Sequence, residues 1–151
     1  MFRVSRRLDY GLQLMIALSK EETNRPQATA LLSEQLHIPL PFLHQIGRAL
    51  IQGGLIKATP GPHGGLRLSH PAERMTLLQI IETLEGPVRV TPEPNGAGNG
   101  VASRAVWEDL QGKLIVYMNC ITLKELGTLP HEAINALNFN AAVASAVASQ
   151  N

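Results

Sequence analysis

The chain has 151 residues, 44% hydrophobic and 17% charged, with 13 Lys or Arg against 12 Asp or Glu and a net charge of +1. That length supports one core of ordinary domain size, and without an apolar run of about 18 residues a transmembrane helix is not expected. A single cysteine cannot close an internal disulfide, and Asp9 and the early polar breaks behind Arg3, Arg6 and Arg7 spoil a secretory signal, so a cytoplasmic protein is expected.

Residues 6–20 are expected to form the first helix. Leu8, Leu12, Met15, Ile16 and Ser19 follow the 3.6-residue period, and Leu14 and Leu18 widen the face. Arg3, Arg6 and Arg7 flank its start, where a cation is a poor partner for the helix dipole and a good one for a phosphate. Asp9 is a first-turn acid, suited to the dipole or to pairing with a nearby arginine. Glu21 to Gln27 reads as a polar loop.

A second helix is expected near Thr29, whose hydroxyl suits an N-cap, and it carries Leu31, Leu32 and Leu36. His37-Ile38-Pro39 breaks it, because Pro39 pushes Ile38 out of the α region. Pro41 fits an early position of the next helix, where a missing N–H costs nothing. Through Gln52, Leu43, Ile46 and Leu50 make one buried stripe. His44, Gln45, Arg48 and Gln52 make the opposite one, and all four can hydrogen-bond to base edges or phosphates. Gly53-Gly54 is a strong helix stop. Leu55–Ala58 and Leu66–Leu68 then read as a hairpin whose tip runs from Thr59 to Gly65 and carries His63. Lys57 and Arg67 sit at its base, positioned for phosphates. Singly, Gln45 or Arg48 is as readily a residue of a plain surface helix. The ordered series of helix, break, helix, Gly-Gly stop and wing is a winged helix-turn-helix and points to DNA.

Charge distribution agrees. Residues 1–70 hold eight Lys or Arg against four acids, while the remainder holds five against eight. Polyanion affinity follows local positive charge rather than the net value, so the N-terminal half carries the expected DNA face.

Beyond a connector at Ser69–Arg74, Thr76-x-x-Gln79 reads as a capping box. The helix it opens, Leu77 to Leu84, buries Leu77, Ile80, Ile81 and Leu84 and ends at Gly86-Pro87. Val88 to Val101 contains Pro92, Pro94, Gly96, Gly98 and Gly100 and reads as a flexible loop. Ser103 can cap a long helix with an apolar stripe of Trp107, Leu110, Leu114, Tyr117, Met118 and Ile121, with Ala105 beside it. One small domain cannot cover that stripe, so a partner helix is expected. Gly112 inside it costs about 1 kcal/mol relative to Ala and would permit close helix approach. Cys120 is expected to be a small buried hydrophobe. Thr122-x-x-Glu125 opens a short last helix, and residues 130–151 read as a disordered or weakly helical tail.

Several segments together resemble the IscR/NsrR/CymR-type family of bacterial winged-helix transcription regulators. They are Leu8-Asp9-Tyr10-Gly11-Leu12, Ile38 to Leu55, Gly61-Pro62-His63-Gly64-Gly65, Thr76 to Gly86, Trp107-Glu108-Asp109-Leu110, and Ile121 to Leu126. The resemblance covers residues 1 to about 129. It implies a homodimer on an inverted-repeat operator, with Trp107, Leu110, Leu114, Tyr117, Met118 and Ile121 meeting their copies in the second subunit. It also implies a sensor loop before the long helix that often holds an iron–sulfur cluster through three cysteines. This chain departs there. Thr91 to Ser103 contains no cysteine; Val101 stands about where the last one would be, and Arg104 about where IscR-type members place a histidine ligand. No cofactor or metal site is therefore expected, Asp9 included. His44 stands where IscR-type members place a base-discriminating acid, and Pro60 where cluster-binding members often have a wing arginine.

The expected fold is mainly α, a winged helix-turn-helix with a long C-terminal dimerisation helix. Residues 1–87 form the DNA-binding region, 88–101 the sensor-position loop, 102–129 the dimerisation and terminal helices, and 130–151 the tail. Expected DNA contacts are Arg3, Arg6, Arg7, Thr29, Pro41, Phe42, His44, Gln45, Arg48, Lys57, His63 and Arg67. No enzyme signature competes: the sequence offers no nucleophile elbow, phosphate loop or paired-carboxylate constellation. The expected function is a homodimeric, sequence-specific transcription regulator, a repressor more often than an activator. The alternatives are a sensor gated by a small molecule or a metal centre without cysteine ligands, and a protein-interaction module that kept the fold.

Overall fold

The computed structural model describes residues 3–91 and 101–128, so the expected tail and residues 92–100 of the sensor-position loop lie outside the described residues. The fold is mainly helical. α1 (Arg6–Ser19), α2 (Thr29–Leu36) and α3 (Leu40–Gln52) lead into a hairpin of β1 (Ile56–Thr59) and β2 (Gly65–Leu68). A 3-10 turn (Ala72–Arg74), α4 (Leu77–Glu85), α5 (Val101–Cys120) and α6 (Leu123–Thr128) follow.

The expected face of α1 is displaced. Leu14, Met15 and Leu18 are its fully buried side chains, whereas Leu8, Leu12, Ile16 and Ser19 are only partly covered. The axis of burial passes through Gly11, where a Cβ would come within 2.3 Å of Leu84 Cδ1. The absent side chain lets α1 and α4 approach, and the 3.6-residue period read through Leu8 and Ser19 misses that contact. Ser5 caps α1 by accepting from Leu8 N–H at 3.0 Å, and its own hydroxyl donates to Glu85 Oε1. Asp9 does lie in the first turn, where it accepts from Gln13 Nε2 at 3.0 Å rather than pairing with an arginine.

The helix-turn-helix differs from expectation at three places. Thr29 is the first residue of α2, not its N-cap; Ala28 holds that place and supplies no side-chain hydrogen bond. Leu31 is half exposed, and Leu32 alone in α2 is fully buried. The break between the helices is also more than a proline effect. His37 adopts a left-handed φ of 54°, its N–H donates to Glu34 O, and the Ile38 N–H donates to Ser33 O at 3.1 Å. Those two bonds make a Schellman stop, a geometry that usually takes glycine. It turns Ile38 into the core, and Ser33 Oγ donates back to the Ile38 carbonyl at 2.6 Å.

α3 closes as expected. Gly54 takes φ +75°, Leu55 N–H donates to Leu50 O and Gly54 N–H to Ile51 O, each at 3.0 Å. Leu43, Ile46 and Leu50 are all within 1% of complete burial, as the stripe predicts. Each such side chain contributes about 1.5–3 kcal/mol by leaving water.

The wing strands are shifted by one residue from expectation, so Leu55 precedes β1 and Gly65 belongs to β2. Pairing is antiparallel, Ile56 with Leu68 through Thr59 with Gly65. The expected polar loop also supplies a sheet contact. Gln27 and Leu66 exchange both backbone hydrogen bonds at 2.8 Å and fasten the wing to the start of α2.

The C-terminal half is fastened by its caps. Both arms of the Thr76–Gln79 box and of the Thr122–Glu125 box are formed. Between them Leu77 N–H donates to Ile121 O at 2.9 Å and Leu123 N–H to Met75 O at 2.8 Å, zipping the two caps together. Ile121 is thereby corrected from a helix-face residue to a junction residue beyond α5. α5 begins at Val101, so Ser103 lies inside the helix and is not its cap. Cys120 is exposed, not buried. Ahead of α5, Val90 N–H donates to Gln111 Oε1 at 3.0 Å, which ties the start of the sensor-position segment to the helix. No helix among the described residues is long and apolar enough to cross a membrane.

Candidate nucleic-acid interface

α3 is buried through Leu43, Ile46, Gly47 and Leu50. The 3.6 period then leaves His44, Gln45, Arg48 and Gln52 exposed. Pro41 sits in its first turn and is exposed. Phe42, beside it, is 41% exposed, and its ring meets Tyr10 of α1 edge-on at a centroid distance of 5.9 Å. Tyr10 thus holds the start of α3 against α1 and leaves part of the Phe42 ring open.

Thr29, His44 and Arg48 come together. With Gly47, Ile51, Ala58 and Leu66 they line a shallow cleft of about 330 Å³ between the start of α2, the outer face of α3 and the wing. A polar rim over a floor of small and aliphatic groups can take both a sugar-phosphate edge and a thymine methyl. Ile51, 40% exposed at the end of this stripe, was missed. Its spacing of seven from His44 and three from Arg48 is the signal that places it there.

Lys57 and Arg67 belong to a different surface. The register puts them opposite each other, and strand alternation puts them on the face away from Ala58 and Leu66, hence away from the cleft. Lys57 is exposed and Arg67 half-buried. Neither has a carboxylate partner among the described residues.

His63 is exposed at the tip, in a turn closed by Gly64 N–H to Gly61 O at 3.0 Å. Tip and strand leave no room for a side chain at two places. A Cβ on Gly64 would lie 2.0 Å from Thr59 O, and one on Gly65 would lie 2.0 Å from Gln27 O. Arg3, Arg6 and Arg7 are exposed at the start of α1, and no ion pair holds them among the described residues.

On the second candidate surface, Trp107, Leu114, Tyr117 and Met118 are half-buried and Leu110 is exposed. No described side chain of α5 is fully buried, and Val106 is 64% exposed. Among the described residues no three His, Cys, Asp or Glu side chains are grouped to hold a metal ion.

Residues 4–128 match the profile of a family described as Rrf2, iron-dependent transcriptional regulator. The chain is similar to the transcriptional regulator IscR of Cereibacter sphaeroides, with 32% identity over 118 residues, 74% of this chain and 76% of that one. Among solved structures it is similar to CymR, the global cysteine regulator of B. subtilis, at TM-score 0.74 and 27% identity over 84% of this chain and 97% of that one. It is also similar to Staphylococcus aureus CymR, at TM-score 0.69 and 30% identity over 83% of this chain and 98% of that one.

Proposed function

The chain belongs to the Rrf2 family of DNA-binding transcription regulators, and we propose that it acts as a cytoplasmic homodimer that represses transcription from inverted-repeat operators. α3 enters the major groove and reads bases through Gln45, against an adenine edge, and Arg48, against a guanine or a phosphate. Thr29 and His44 hold the adjoining strand, while Lys57, Arg67, Arg3, Arg6 and Arg7 meet flanking phosphates. Pro41, Phe42 and His63 complete the surface at the two ends. The observation that carries the reading is the convergence of Thr29, His44 and Arg48 on one cleft between α3 and the wing.

Dimerisation is supported by α5, a 20-residue helix with no fully buried side chain described in the single chain. Two copies of its apolar face packed about a two-fold axis would cover Trp107, Leu110, Leu114, Tyr117 and Met118. The two α3 helices would then face half-sites about 34–36 Å apart, one turn of the duplex.

The reading is cluster-free. Residues 91–103 contain no cysteine, and Cys120 lies at the far end of α5, exposed. These residues do not fit an iron–sulfur cluster held by three thiolates, so no step of regulation is assigned to one.

Selection of bound duplexes from a random library, with the absorbance spectrum of anaerobically purified protein recorded alongside, tests the proposal. The expected result is an enriched inverted repeat from a colourless protein. Gln45→Ala is expected to cost about 1–3 kcal/mol on the best site and to relax preference at one position. Equal loss on random DNA would remove the base-reading role, and a visible iron–sulfur band would overturn the cluster-free reading.

A further inference from the structure

Away from the α3 cleft, a larger cavity of about 670 Å³ opens between the end of α1, the connector after β2, and α6. That volume is in the range of small-molecule sites, but its walls are charged. On the α1 side the wall carries Lys20, Glu21 and Glu22; the Glu21 carboxylate accepts from the Thr23 N–H at 3.3 Å and from the Thr23 hydroxyl, whereas Lys20 and Glu22 have no side-chain partner among the described residues. On the α6 side, Glu73 and Lys124 form an exposed ion pair of 2.8 Å. Ser69 and His70 complete the wall, joined Oγ to Nδ1 at 2.7 Å.

We propose that this cavity is an effector site for a free α-amino acid, its carboxylate held by Lys20 and its ammonium group by Glu22. Charge matching selects that class of ligand. Two unpaired charges of opposite sign, two residues apart, suit a ligand that carries both signs on one short backbone. A simple anion there meets Glu22 unfavourably, and a simple cation meets Lys20. Glu73 and Lys124 can open to accept a polar side chain, because an exposed ion pair is weakly held.

The wall also touches the DNA-reading apparatus. Ser69 Oγ donates to the Gly54 carbonyl, and Ser69 N–H donates to the Leu55 carbonyl at 3.0 Å. Both acceptors belong to the stop that ends α3. A ligand that draws on Ser69 or His70 moves that stop, and with it the seating of α3. This consequence rests on the proposed DNA reading, whereas occupancy of the cavity does not.

Thermal melting of the full chain with each common amino acid, beside propionate and ethylamine, measures occupancy. At least one amino acid is expected to raise the melting temperature, while the two single-charge probes do not. Lys20→Gln and Glu22→Gln are each expected to weaken that amino acid about tenfold or more, the loss of one charge-assisted hydrogen bond. No shift with any amino acid, or a shift surviving both substitutions, overturns the site. DNA affinity, followed by anisotropy at fixed salt with and without the active amino acid, measures coupling. A change absent from Lys20→Gln supports the effector role, and an unchanged affinity overturns it. Failure of the untreated protein to bind any DNA counts against the regulator reading, and the melting data still decide the cavity.

Discussion

Lys57 and Arg67 stand directly opposite each other across the wing, on the face turned away from α3. Like charges in register on adjacent strands destabilise a sheet by about 0.2–1 kcal/mol, and no carboxylate among the described residues relieves them. A DNA phosphate bound there, as proposed, would supply the missing counter-charge.

Lys57→Ala is therefore expected to move two measurements in opposite directions. The free protein should keep its stability or gain a few tenths of a kcal/mol. DNA affinity should fall alike for all sequences, with the slope of log K against log salt flattening by about 1. A loss confined to the preferred operator would count against a phosphate role.

His37 carries a prediction about the turn that aims α3. Its φ of 54° is left-handed, a region that costs a side-chain-bearing residue about 1–2 kcal/mol and glycine little. Allowing for the extra chain entropy of glycine, His37→Gly should raise the unfolding free energy by about 0.5–1 kcal/mol. His37→Val should lower it by about 1–2 kcal/mol, since β-branched residues fit this region worst. Urea unfolding measures both, and equal stability of the Gly and Val variants would show that the turn opens without cost.

These same residues show where the sequence was legible. Periodicity sufficed for the buried stripe of α3, since Leu43, Ile46 and Leu50 obey one local rule that needs no partner. Both capping boxes were equally local. The left-handed His37 is closed by local bonds to the Glu34 and Ser33 carbonyls but stands where glycine is usual, so no residue preference announces it. The wing register and the Gln27–Leu66 bridge are not local. Each depends on where another segment arrives, and nothing near Gln27 in sequence records Leu66. The displaced face of α1 has the same origin, because Gly11 marks the approach of Leu84 from 73 residues away. On the candidate site, the α3 stripe told which residues face outward. Only the fold showed that Thr29, His44 and Arg48 share a cleft while Lys57 and Arg67 turn from it.

Gly65 tests whether that bridge matters to the site. Its φ is +149°, and a Cβ would meet the Gln27 carbonyl at 2.0 Å. Gly65→Ala must push the wing off the start of α2 and break one or both bonds of the Gln27–Leu66 pair. Faster amide exchange at Gln27 and Leu66 is expected, with a stability loss of about 1–3 kcal/mol from conformational strain and lost hydrogen bonds. Unchanged protection at both amides would mean that the wing holds its place by other contacts.

Gly112 separates what α5 needs as a helix from what it needs as an interface. In the single chain it is exposed, and a Cβ there would touch nothing within 4 Å. Intramolecular packing therefore gives no reason for a residue that costs a helix about 1 kcal/mol relative to Ala. If two α5 helices cross closely at this point, the cost is offset between chains. Gly112→Leu should then leave the fold and its far-ultraviolet dichroism intact while weakening self-association in sedimentation. Leu110 lies about 200° around the helix from Gly112, on the stripe of Trp107, Leu114, Tyr117 and Met118, and Leu110→Glu, which places a charge in that stripe, should do so more strongly. Both should reduce affinity for a two-half-site operator far more than for an isolated half-site, because the second contact is lost with the dimer. A Gly112→Leu protein that still sediments as a dimer would place the crossing elsewhere along α5.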